Sequence, residues 1–191
     1  MRVKSKWHKK DRSKSPEEQA SVLGFIIWRI ADERANKMYR AGFEFASQGQ
    51  LLAVVGEFAI FLLQLTDRMV HERLPDEQRL PLMGALAQHL IRTMVDNLTE
   101  DFGEGDYRAA FVEKINQRLD DYADFGFVDG QPGYQSLRYL GQSIDEVMGG
   151  KENKWVIEQV VDIEAPEAIE NLRKGVQDIL SSVEVSEASA G

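Results

Sequence analysis

Between Leu51 and Leu65 the chain reads LLAVVGEFAIFLLQL, with Glu57 and Gln64 as its strongly polar side chains and no proline. A helix that is apolar on nearly every side has to be buried on nearly every side. Elsewhere apolar residues recur at three- and four-residue spacing, and no segment alternates for long in the manner of a strand. The chain is therefore expected to be all-α. The reading is an antiparallel bundle of four long helices, with additional C-terminal helices packed on it.

Local signals place the helices. Ser15-Pro16-Glu17-Glu18 is a helix start: a serine N-cap, proline at the first helical position and two acids at the positive end of the dipole. The first helix is expected over Pro16 to Ala46, bent at Gly42. A break at Gln48-Gly49 precedes a second over Gln50 to Leu74. At 100° per residue, Gln50, Glu57, Gln64, Arg68 and His71 fall on one narrow stripe of that second helix, which turns Glu57 toward water or a helix seam. A third helix is predicted over Glu77 to Phe102, with Pro81 in or near its first turn, and a fourth over Tyr107 to Phe125. Asp129-Gly130-Gln131-Pro132-Gly133 is the strongest loop signal. Beyond it come a fifth helix over Gln135 to Met148 and a segment over Trp155 to Ile163 that suits a short helix or an extended piece. A last helix is opened by Pro166. The expected division is a basic, disordered arm at 1–14, a single helical domain at 15–183 and a disordered tail at 184–191.

Charge is distributed unevenly. The net charge is −9, yet residues 2–14 hold seven Lys or Arg against one acid, Asp11. Taking these from totals of 23 and 32 leaves 16 basic and 31 acidic residues, so the remainder carries −15. An acidic body argues against a nucleic-acid-binding body, while the arm has the composition to touch RNA, a ribosome or an anionic membrane. Cysteine is absent, which excludes disulfides, thiolate metal sites and cysteine nucleophiles. The 51–65 run is shorter than a membrane span and carries a glutamate, and no secretory signal is recognisable. The expectation is a cytoplasmic protein with no transmembrane segment.

Chemistry-bearing motifs are sparse. The Glu-x-x-His pairs of a carboxylate-bridged di-metal bundle are missing, since Arg68 and Leu86 stand three residues before His71 and His89. His71-Glu72 does not continue to a second histidine as a zinc-protease helix would. The remaining metal candidates are Asp67 and His71, spaced i,i+4, together with His89 and Asp96 on the next helix. No Gly-x-Ser-x-Gly elbow occurs, and Gly103-Glu104-Gly105 lacks the lysine of a phosphate loop. Asp32-Glu33-Arg34 with Lys37, and Asp120-Asp121 with Asp124, read as solvated helix faces. Trp28, Tyr39, Phe43 and Phe45 suit the core, a homodimer seam, or a groove for a partner helix or apolar ligand. No cofactor is expected.

One stretch resembles a known family. The leucine-rich helix from Glu57-Phe58 to Leu65-Thr66-Asp67-Arg68 is followed by Asp96-Asn97-Leu98-Thr99-Glu100 and the Gly103-Glu104-Gly105-Asp106 turn. Arg118-Leu119 with Tyr122 come next. Over residues 54–125 this is similar to the ubiquinol–cytochrome c assembly chaperones, which are all-helical. The turn is one residue longer here, and Asn116-Gln117 stand where that family has an aromatic pair. The resemblance implies a non-enzymatic helper in the assembly of a membrane-protein subunit. From the residues themselves the reading is broader: a non-enzymatic helical protein acting through protein contacts, as a homo-oligomer or as an assembly or adaptor factor. The alternative is a helical-bundle enzyme or carrier of a metal or an apolar ligand.

Overall fold

A computed structural model describes residues 15–149 and 154–188 of the chain, with side chains through Ser181. The protein is all-α. Four long helices come first: α1 (Pro16–Arg40), α2 (Gln48–His71), α3 (Asp76–Phe102) and α4 (Tyr107–Ala123). A small hairpin of β1 (Phe127–Val128) and β2 (Gln131–Pro132) leads into α5 (Tyr134–Met148). The chain then forms α6 (Val156–Gln159), a π-helical turn over Val160–Glu164, and α7 (Ala165–Ala188).

Helix α1 begins as its sequence dictates. The Ser15 hydroxyl accepts from the Glu18 N–H, and the Glu18 carboxylate accepts from the Ser15 N–H. It ends six residues earlier than expected, because Gly42 takes the left-handed conformation (φ +95°) and the Phe43 N–H closes back on the Met38 carbonyl at 3.1 Å. That is a glycine-terminated helix end, which stops the helix where a bend was anticipated. The break therefore covers 41–47, and α2 starts earlier than predicted, with Ser47 as its N-cap. Pro81 lies inside α3, beyond its first turn. The loop signal at 129–133 is a tight hairpin turn, with Asp129 and Gly130 both at positive φ (53° and 71°). The segment 155–163 is helical, and α7 runs on to Ala188, past residue 183 where the domain was expected to end. The arm at 1–14 lies outside the described residues.

Helix α2 is the axis of the molecule. From Val54 to Thr66 every residue is buried, and α1, α3, α4, α5 and α7 all touch this helix. By length and composition it is apolar enough to cross a membrane, though 78% of that apolar stretch is buried inside the protein. Contacts fix the directions of its neighbours. Glu57 pairs with Lys114 and Arg118, Phe61 meets Tyr122, and Arg68 reaches the Tyr122 carbonyl, so α4 runs parallel to α2. Gln50 donates to the Val147 carbonyl at one end of α5, while Tyr139 near its other end meets Tyr122, so α5 runs antiparallel. Antiparallel α7 lies along α1, with Glu164 by Arg34 and Gly175 by Ile26. One core, continuous from Ala20 to Leu180, joins all of these helices.

Candidate functional site

Along most of its length the polar stripe of α2 faces a helix seam, and at its end His71 is exposed. Along that seam α4 and α5 are fastened. Gln50 binds the end of α5, and Arg68 donates to the carbonyls of Tyr122 and Ala123 at 3.1 and 3.3 Å, capping the C-terminus of α4. Glu57 lies between them, 1% exposed. An unpaired carboxylate there would be very costly, and both its oxygens are taken. Arg118 donates through Nε to Oε2 at 3.0 Å and through Nη2 to Oε1 at 3.2 Å, and Lys114 Nζ donates to Oε1 at 3.0 Å. Lys114 and Arg118 are one turn apart on α4, which puts both cations over one carboxylate.

The network continues outward. Arg118 Nη1 donates to the Tyr139 hydroxyl at 2.8 Å, and that hydroxyl donates a short bond to Asp121. Burial works against the charge of Arg118, but Glu57 outweighs it and holds the guanidinium pKa above its usual range. Burial, then the hydrogen bond to Asp121, pushes the Tyr139 phenol up. Tyr122, fully buried and ringed by Phe61, Phe125 and Tyr139, is pushed well up by burial and by the nearby Glu57 charge. Its hydroxyl finds no protein hydrogen-bond partner, and neither do Gln64 Oε1 on α2 and Ser136 Oγ on α5. Glu57, Arg68, Arg118 and Tyr122 are thus among the residues that join α4 to α2.

A second buried cluster joins α1 to the π turn. Arg34 is 1% exposed, so the Asp32-Glu33-Arg34 segment is not the solvated face its sequence suggests. Its guanidinium pairs with Glu33 at 2.8 Å, with Glu164 at 3.5 Å and, closely, with Glu167, which also accepts from Lys37 at 2.8 Å. Burial raises the Glu164 carboxyl pKa, whereas hydrogen bonds from Lys37 and Arg34 lower that of Glu167. The π turn brings Glu164 to Arg34: the Ala165 N–H reaches back five residues to the Val160 carbonyl, turning Glu164 inward just before Pro166. Asp121 likewise leaves the expected solvated face to accept from Tyr139, while Asp120 and Asp124 are exposed.

The metal candidates are dispersed. Asp67 is bound by Arg79 at 2.5 Å, and His71 and Asp96 are exposed. His89 is half-buried against the bare backbone of Gly24 on α1, and burial, then the Arg92 charge, lowers its pKa. Among the described residues no three His, Asp or Glu side chains gather in a metal-holding group. Of the four aromatic residues singled out, Trp28 is core, Phe43 and Phe45 are partly buried against it, and Tyr39 is 62% exposed. Two shallow clefts flank Arg173, whose guanidinium pins the hairpin to α7 through the Gly130 carbonyl at 2.9 Å. Comparison with known protein families, characterised proteins and solved structures finds no match.

Proposed function

We propose that this is a non-enzymatic helical protein that works through contacts with other polypeptide chains, as a homo-oligomer or as an assembly or adaptor factor. The observation that carries this reading is the set of large apolar side chains left outside a bundle whose core is already filled. Trp155 is 72% exposed and sits in a left-handed backbone conformation (φ 74°), which is disfavoured for a bulky side chain. Tyr39, Phe102 and Tyr134 are each at least half exposed. Single exposed apolar residues are ordinary, and exposed aromatic side chains are the type that anchors protein interfaces. The buried ionisable groups are taken up in pairs across the helix seams within the chain, as groups that fix helix register are.

Native mass spectrometry of the protein purified from its own source tests the proposal. The expected result is a mass that corresponds to an oligomer or to a complex with another polypeptide. A monomer carrying a metal or small molecule at fixed stoichiometry would overturn it and favour the bundle enzyme or carrier.

A further inference from the structure

The geometry points to one occupant for the aromatic end of the bundle: the basic N-terminal arm of a second copy of this chain. The inference rests on the contact reading above and names the partner. At this end the Tyr39 and Phe45 rings lie 6.3 Å apart between centroids, beside the 41–47 connection. Phe102 closes the other side of that connection, its ring 3.4 Å from where a Cβ on Gly49 would stand. Tyr39 and Phe102 nevertheless remain 62% and 50% exposed. The rim beside Phe102 is acidic. Glu100, Asp101, Glu104 and Asp106 are all exposed and carry no ion pair among the described residues.

The arm has the complementary chemistry. Trp7 stands among Lys4, Lys6, Lys9 and Lys10, an aromatic side chain flanked by cations. Such a segment suits an aromatic patch with a carboxylate rim, through ring stacking, cation–π contact and charge complementarity. In its own copy Trp7 could meet the patch only with the arm drawn out straight along α1. The arm joins α1 at Ser15, whereas Tyr39 lies at the far end of that 25-residue helix, about 37 Å away. Trp7 is eight residues ahead of Ser15, and eight fully extended residues span at most about 29 Å. A second copy lying antiparallel brings the start of its α1 next to this patch. Two-fold symmetry then seats both arms at once, each on the other copy.

Charge exchange tests this on the full chain by analytical ultracentrifugation. The unmodified protein is expected to form a dimer at about 50 mM NaCl that weakens about tenfold or more at about 500 mM. One variant carries Lys4→Glu, Lys6→Glu, Lys9→Glu and Lys10→Glu, and another carries Glu100→Lys, Asp101→Lys and Glu104→Lys. Each alone is expected to be monomeric with an unchanged far-UV circular dichroism spectrum. An equimolar mixture is expected to dimerise again, since each reversed arm then meets a reversed rim. A monomeric unmodified protein, a dimer that survives both reversals, or a mixture that stays monomeric would each overturn the inference. So would an arm found on nucleic acid in place of a second copy. If the unmodified protein is monomeric here yet shows a different polypeptide at fixed stoichiometry in native mass spectrometry, the contact reading stands and this inference alone falls.

Discussion

Glu57 shows how one buried carboxylate is held and what its loss costs from either side. In Arg118→Ala, Glu57 stays behind at 1% exposure with Lys114 as its remaining cation, so the loss is expected near the low end of the roughly 3–5 kcal/mol that stranding a buried charge costs. In Glu57→Ala the two cations, 13% and 34% exposed, can swing to water, so the expected loss is smaller, about 1–3 kcal/mol. Urea denaturation of the two variants checks the order; equal losses would mean the cations are as trapped as the acid. His89 gives a pH signature. Its folded pKa lies below its unfolded value of 6.5, so the unfolded chain takes up the proton first. The stability it contributes is complete above about pH 6.5 and is lost as pH falls from there toward the folded pKa. Chemical denaturation at about pH 7.5 and about pH 5.5 should show a steeper loss in the unmodified protein than in His89→Gln. At this scale the sequence was half legible. The stripe of Gln50, Glu57 and Gln64 could be seen, because seven residues are close to two helical turns. Its partners could not, because nothing in one sequence says which face of α4 meets which face of α2. Arg34 looked like a surface residue for the same reason: its acids come from residues 164 and 167.

Among elements, the α1–α3 contact is set by one missing side chain. A Cβ on Gly24 would stand 2.2 Å from His89 Cδ2, so Gly24→Ala must turn the imidazole or part the helices. Alanine adds about 1 kcal/mol of helix propensity, but overpacking costs about 1–3 kcal/mol, and a net loss of up to about 2 kcal/mol is expected. Adding His89→Ala should recover part of that loss; a double variant no better than Gly24→Ala would place the strain elsewhere. Helix starts were partly legible: the capping box at Ser15 fixed α1, whereas Ser47 caps α2 two residues ahead of the expected start. Helix ends were less so, because the turn at Gly42 is a backbone conformation, and a glycine there equally suits a bend. The π turn left no sequence signal of its own. Pro166 marked the start of the last helix, and α7 does begin one residue before it, at Ala165, directly after the π turn.

For the molecule as a whole, legibility was highest where hydrophobicity alone decides. A helix apolar on all sides needs neighbours on all sides, and α2 has five. None of them can leave without wetting α2, so the described helices are expected to unfold together. In a Trp7→Phe, Trp155→Phe variant, the fluorescence of buried Trp28 and far-UV circular dichroism should give coincident urea transitions. Separate transitions would show that α5 to α7 come off as a unit of their own. What stayed illegible was the choice of neighbours, which depends on contacts between residues far apart along the chain.

The same arrangement bears on how the protein is made. Translation delivers α2 before most of the helices that enclose it, since Tyr139 and Val176 of its wrapping emerge 74 and 111 residues after Leu65. At about 5–20 residues per second, an apolar segment resembling a membrane anchor waits on the order of 5–20 s for its last cover. Newly made chains would therefore present α2 to targeting factors and chaperones during synthesis, a hazard the finished fold conceals.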